Sequence, residues 1–103
     1  MNPRNADTLA SIALYYAKKG DSSNAVEFIR RARAIKPDAV SLIDNQAEIL
    51  ALAGRKEESI KSVREALKRG YPVAEIKNDP ELKSLQSLPE FQKLLTDTAS
   101  KKD

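Results

Sequence analysis

The chain reads as all-α: two helix-turn-helix hairpins followed by C-terminal capping helices, a short fragment of a right-handed α-solenoid. Three observations predict this. Residue types repeat at a fixed offset of 34: Pro3 with Pro37, Ala13 with Ala47, Ala17 with Ala51, Gly20 with Gly54 and Ala32 with Ala66. Leu9 with Ile43, Ala25 with Ser59, Val26 with Ile60 and Ile29 with Val63 share that offset conservatively. A fixed period of this length marks stacked helical hairpins. Within each segment the apolar residues recur at the 3.6-residue period of a helix with one buried face. Glycine (3) and proline (5) are scarce and fall between the periodic segments.

The first helix is expected from about Ala6 to Lys19. Leu9, Ile12, Ala13, Tyr16 and Ala17 form its apolar stripe, and Asn5 or Asp7 supplies the cap. Lys18 and Lys19 suit the negative end of the helix dipole, and Gly20 stops the helix. The second helix runs from Ser22 or Ser23 to Ile35, with Ala25, Val26, Ile29, Ala32 and Ile35 inward. Pro37 ends it, because the residue before a proline avoids helical geometry.

The third helix spans about Val40 to Ala53, with Ile43, Ala47, Leu50 and Ala51 as its stripe. The fourth spans about Lys56 to Arg69 and carries Ile60, Val63, Ala66 and Leu67. It has no obvious side-chain cap, but Glu57 and Glu58 stand in its first turn. The recurring alanines mark where paired helices approach closely. After Gly70 the period fails, and Pro72 is one residue late. A short helix or turn follows at 71–78. A new helix begins at Asp79-Pro80 with Leu82 and Leu85 inward, and another at Leu88-Pro89 with Phe91, Leu94 and Leu95.

Composition narrows the functions available. The chain has no cysteine and no histidine. Disulfides and thiolate metal sites are impossible, and the commonest general base and transition-metal ligand are missing. No cofactor is implied. No apolar run reaches the roughly 20 residues that span a bilayer, and the N-terminus lacks a signal-peptide core. A cytoplasmic setting is the default. The net charge of +3 exerts no strong pull toward nucleic acid or membrane.

The spacing of small residues, glycine and proline resembles the tetratricopeptide repeat. Leu9, Ile12, Ala13, Tyr16, Gly20, Ala25, Ile29, Ala32 and Pro37 hold the family's positions in a first repeat. Ile43, Gln46, Ala47, Leu50, Gly54, Ser59, Val63 and Ala66 hold them in a second, with Gln46 departing from the pattern. The stretch from Gly70 to Leu95 is similar to the segment that closes many bacterial arrays of this repeat. The resemblance implies the following organisation. Residues 1–5 are the tail of a preceding repeat, or the start of an excised piece. Residues 6–39 and 40–72 are repeats, 73–95 are capping helices and 96–103 a frayed tail.

The same resemblance implies a protein–protein interaction module, part of a larger bacterial regulatory protein. Its concave groove would be lined by the first helix of each repeat: Ser11, Leu14 and Lys18, then Asp44, Asn45, Glu48, Ile49 and Leu52. A helix or extended peptide of unknown identity would bury apolar area near Leu14, Ile49 and Leu52. Lys18, Asp44, Asn45 and Glu48 would form the charged rim. Two alternatives stand beside this reading. The segment could be a purely structural cap of a longer array. Or the basic side of the second helices, including Arg30, Arg31, Arg33, Arg64 and Arg69, could bind phosphate or nucleic acid. The near absence of stacking aromatics there disfavours nucleic acid. An exposed repeat face could also promote self-association.

Catalysis finds little in the residues. Asp44 and Glu48 stand one turn apart and could share a proton or weakly hold a hard cation. Ser59 and Ser62 neighbour Lys61, with no third group to orient them. No enzymatic role is expected.

Overall fold

The computed structural model describes residues 5–100. Its elements are α1 (Ala6–Lys18), α2 (Ser22–Ile35), α3 (Val40–Leu52), α4 (Lys56–Lys68), α5 (Val73–Lys77), a 3-10 helix η1 (Pro80–Leu85) and α6 (Pro89–Ser100). No strand occurs among the described residues. The expected tail of a preceding repeat falls mostly on residues 1–4, which lie outside the described residues.

Local chemistry sets the ends of the first two helices. The Asn5 Oδ1 atom accepts the Thr8 N–H at 3.1 Å, and the Asp21 Oδ1 atom accepts that of Asn24 at 3.2 Å. Each satisfies a backbone donor that the first helical turn leaves without a partner. Gly20 and Gly54 close α1 and α3 with positive φ angles of 87° and 80°. At Gly20 the glycine N–H returns to the Ala17 carbonyl and the Asp21 N–H to the Tyr16 carbonyl. Gly54 and Arg55 make the same pair of bonds to Ala51 and Leu50. This is the Schellman closure, in which a Cβ at the left-handed position costs energy. Nothing lies within 4 Å of where a Cβ would stand at either glycine, so the requirement is backbone conformation and not space.

These closures leave turns short enough for α1 to fold back on α2, and α3 on α4; each pair is in extensive contact. Two apolar clusters follow. The first joins Ala6, Leu9, Ala10, Ala13 and Ala17 of α1 with Ala25, Ile29 and Ala32 of α2 and Leu42 and Ile49 of α3. The second joins Ala47 and Ala51 of α3 and Ile60, Val63 and Leu67 of α4 with Ile76, Leu82, Leu85, Phe91 and Leu95. Residues beyond Gly70 therefore complete the second core. Ile76, Leu82, Leu85 and Phe91 have no exposed surface, and burying each such side chain is worth about 1.5–3 kcal/mol. The radius of gyration, 13.3 Å, is that of a compact chain of this length.

Polar links tie the pairs together. The Ser59 hydroxyl, fully buried, donates to the Ala47 carbonyl at 2.6 Å. Arg33 reaches from α2 to the Gln46 side chain at 2.6 Å, to the Pro37 carbonyl at 2.7 Å and to Glu65 at 3.3 Å. One guanidinium thus joins α2, α3 and α4.

Three expectations need correction. Ile35, assigned to the inward stripe of α2, is 46% exposed at the last residue of the helix. Leu42 and Ile49 lie off the expected stripe of α3 yet are buried, because α3 packs on α1, α2, α4 and η1 at once and so hides most of its circumference. The frayed tail does not begin at Thr96. Helix α6 continues to Ser100, free of internal proline or glycine, and the Thr98 hydroxyl donates to the Leu94 carbonyl at 2.8 Å. Residues 101–103 lie outside the described part.

Candidate functional site: a carboxyl cluster beneath the cap

Asp44 and Glu48 sit on successive turns of α3, on the side against which η1 packs. Asp79 stands at the N-cap of η1, where its Oδ1 atom accepts the Glu81 N–H at 2.8 Å. Carboxylate oxygens of Asp44, Glu48 and Asp79 all lie within 4.8 Å of one another. Asp44 is buried, at 7% exposure; its Oδ2 atom accepts the Tyr71 hydroxyl at 3.1 Å, and its Oδ1 atom has no hydrogen-bond partner.

Burial in this crowd of negative charge disfavours the ionised forms. Desolvation, reinforced by the charges of Asp79 and Glu75, pushes Asp44 up to about 6, against the opposing pull of the Tyr71 hydrogen bond. Glu48 is pushed further, to about 9. Desolvation is again the leading cause, followed by the closeness of the Asp79 carboxyl and the charges of Asp44, Asp79 and Glu81. Tyr71 is raised above the ordinary phenol value, first by burial and then by the Asp44 charge, so it remains a donor. Three carboxylate oxygens at this spacing could meet around a hard cation.

The residues expected to line a groove are dispersed by this arrangement. Ser11 is exposed on α1, and Leu14 is half-buried against the first core cluster. Lys18 is exposed and reaches the Glu81 carboxylate at 3.5 Å. Asp44 is covered by Tyr71, and the Glu48 carboxyl lies beside that of Asp79. Asn45 is half-buried, and Ile49 has no exposed surface at all. Leu52, 39% exposed, edges a shallow depression with Ala51, Pro80, Glu81, Lys83 and Ser84. The η1 segment thus occupies the side of α3 that a peptide was expected to fill.

The pairing of Asp44 with Glu48 was visible as a one-turn spacing. Tyr71 and Asp79 were not visible as partners, because they come from the segment after Gly70, which no periodicity ties to α3. Most of the arginines on α2 and α4 are paired with carboxylates. Arg30 and Arg31 pair with Glu27, Arg64 with Glu90, and Arg69 with Asp38 and Glu65. Ser59 is buried and its hydroxyl is committed to a backbone carbonyl, so it is no nucleophile. No helix among the described residues is long and apolar enough to cross a membrane.

No curated protein and no solved structure matches the chain significantly. The family described as A/B hydrolase-like, N-terminal domain matches residues 7–103. This overturns the resemblance to tetratricopeptide repeats. The marks that carried that resemblance belong to helical hairpins in general. Helices of 13 or 14 residues with short turns set a recurring period, glycine closes each first helix through its backbone, and alanine permits close approach. Gln46, which departed from the repeat pattern, holds Arg33 here. The scaffold function drawn from the resemblance falls with it, as do the array-closing and anion-binding alternatives and the bacterial regulatory setting. With the match covering all but the first six residues, the chain belongs to the A/B hydrolase-like N-terminal domain family.

Proposed function

We propose that this chain is a non-catalytic helical domain that packs beside an A/B hydrolase-like domain and supports it. The family match carries the reading, since it describes a domain N-terminal to hydrolase-like chemistry and spans nearly the whole sequence. The residue inventory supports the non-catalytic half. Hydrolases of the Ser-His-Asp type need an imidazole to take the nucleophile's proton, and this sequence has neither histidine nor cysteine. Packing supports the other half, because the C-terminal cap seals the second core with Phe91, Leu82 and Leu85 and gives a self-contained body to set against a neighbour. We read the two helix pairs and cap as a short right-handed stack, a reading favoured by the contacts of α3 with both α1 and α2.

The test is an activity comparison. The chain alone, and a polypeptide joining it to an A/B hydrolase-like domain, are assayed on p-nitrophenyl esters and with a fluorophosphonate probe. The expected result is labelling and turnover only in the joined form. Stoichiometric labelling of the isolated chain, with ester turnover, would refute the non-catalytic assignment.

A further inference from the structure

The carboxyl cluster lies at the seam between α3 and the segment that closes the second core. Asp44 and Glu48 come from α3, and Asp79 heads η1. One carboxylate oxygen from each lies within 4.8 Å of the other two. Among the described residues, none of the three pairs with a lysine or arginine. Lys18, from α1, is paired with Glu81 instead, at 3.5 Å.

Asp44 adds an observation separate from that spacing. Its side chain is turned into the cluster and is only 7% exposed. Its Oδ2 atom accepts the Tyr71 hydroxyl at 3.1 Å. Its Oδ1 atom is closed to solvent and has no hydrogen-bond partner among the described residues. Folding has stripped water from this oxygen and supplied no donor in return. Native proteins rarely leave such an atom bare; an ordered water or an ion ordinarily covers it. Positive charge is what this position lacks, and two further carboxylates already converge there.

We propose that Asp44, Glu48 and Asp79 bind one calcium ion, which fastens the C-terminal segment to α3. The donors select the class of ion. All three are carboxylates, and the chain has no cysteine or histidine, so softer transition metals find no preferred ligand. Size selects among the hard cations. Two oxygens on opposite sides of a calcium ion stand about 4.6–5.2 Å apart, twice the bond length. Around magnesium the same limit is about 4.0–4.2 Å, and its octahedral shell tolerates little distortion. Oxygens spread over as much as 4.8 Å fit the wider shell. Glu48 and Asp79 are half-buried, so the outer side stays open for water to complete the shell. The ligands come from both α3 and η1, so only the docked arrangement binds the ion, and binding stabilises it by mass action. Every ligand belongs to this chain, and the site is independent of any hydrolase-like neighbour.

The test is calorimetric titration of the 103-residue chain with CaCl2, after EDTA treatment and dialysis, at ionic strength held constant with KCl. The expected result is one ion per chain with a Kd below about 1 mM, and at least about tenfold weaker binding of MgCl2. Asp44→Asn should weaken calcium binding at least about tenfold, and Glu57→Gln, on the exposed first turn of α4, should leave it unchanged. No binding at about 10 mM CaCl2, or undiminished binding by Asp44→Asn, would overturn the site. Equal affinity for MgCl2 would overturn the choice of calcium. Carboxyl-carbon NMR of the wild-type chain decides the matter even if the variant fails to fold. Saturable shifts confined to Asp44, Glu48 and Asp79 support the site, and shifts as large at the exposed Glu57 and Glu58 refute it.

Discussion

Truncating Phe91 tests how far the C-terminal segment belongs to the fold. Phe91 is the largest side chain with no exposed surface, and it enters from α6 into the cluster formed by Ile60, Val63 and Leu67 of α4 with Ile76, Leu82 and Leu85. Phe91→Ala removes a ring whose neighbours come from α4, α5 and η1 at once, so no single element can shift to refill the space. Such truncations cost about 3–5 kcal/mol, the sum of lost transfer energy and the cavity left behind. A domain of this size holds only about 5–15 kcal/mol in all. The substitution should therefore lower the melting temperature by roughly 12 °C or more. Urea denaturation followed by far-UV circular dichroism gives the free energy, with the slope checked for constancy. A loss below about 1 kcal/mol at unchanged slope would mean that the cap is an appendage and that α3 and α4 are stable without it.

Two further substitutions probe the turns and the seam. Gly20→Ala meets no atom within 4 Å, so its cost is the left-handed backbone alone. The expected loss is about 1–2 kcal/mol by chemical denaturation, and a stabilised variant would contradict the Schellman closure. Tyr71→Phe removes the only hydrogen bond that the buried Asp44 carboxylate makes among the described residues. That bond favours the charged form, so Asp44, already raised to about 6, should titrate higher still. The loss, about 1–3 kcal/mol, should be larger at pH 8, where Asp44 is ionised, than at pH 5; a pH-independent loss would refute the assignment.

Local rules carried much of the fold into the sequence. Helix starts and stops were legible because Asn5, Asp21, Gly20, Gly54, Pro37 and the Asp79-Pro80 pair act within a few residues of themselves. The inward alanines were legible because close helix approach admits little else. The seam was not, since it depends on how residues after Gly70 return to α3. Tyr71 and Asp79 announce a turn and a cap, and only the docked η1 turns them into partners for Asp44 and Glu48. The groove reading went astray for the same reason. A helix face that looks open in sequence, with Leu52, Glu48 and Asp44 on it, faces the cap in the folded chain. The family was illegible for a different reason. The 34-residue offset reports two helix pairs of equal length, and equal length is a property of the geometry, not of one lineage.

The central claim is that this helical body supports an adjoining hydrolase-like domain. Differential scanning calorimetry tests it most directly, comparing that domain alone, this chain alone, and the two joined. A supporting contact predicts that the hydrolase-like domain melts at a higher temperature when joined, by several degrees, with this chain's transition shifted alongside it. Two transitions in the joined protein at the temperatures of the isolated parts would contradict the account.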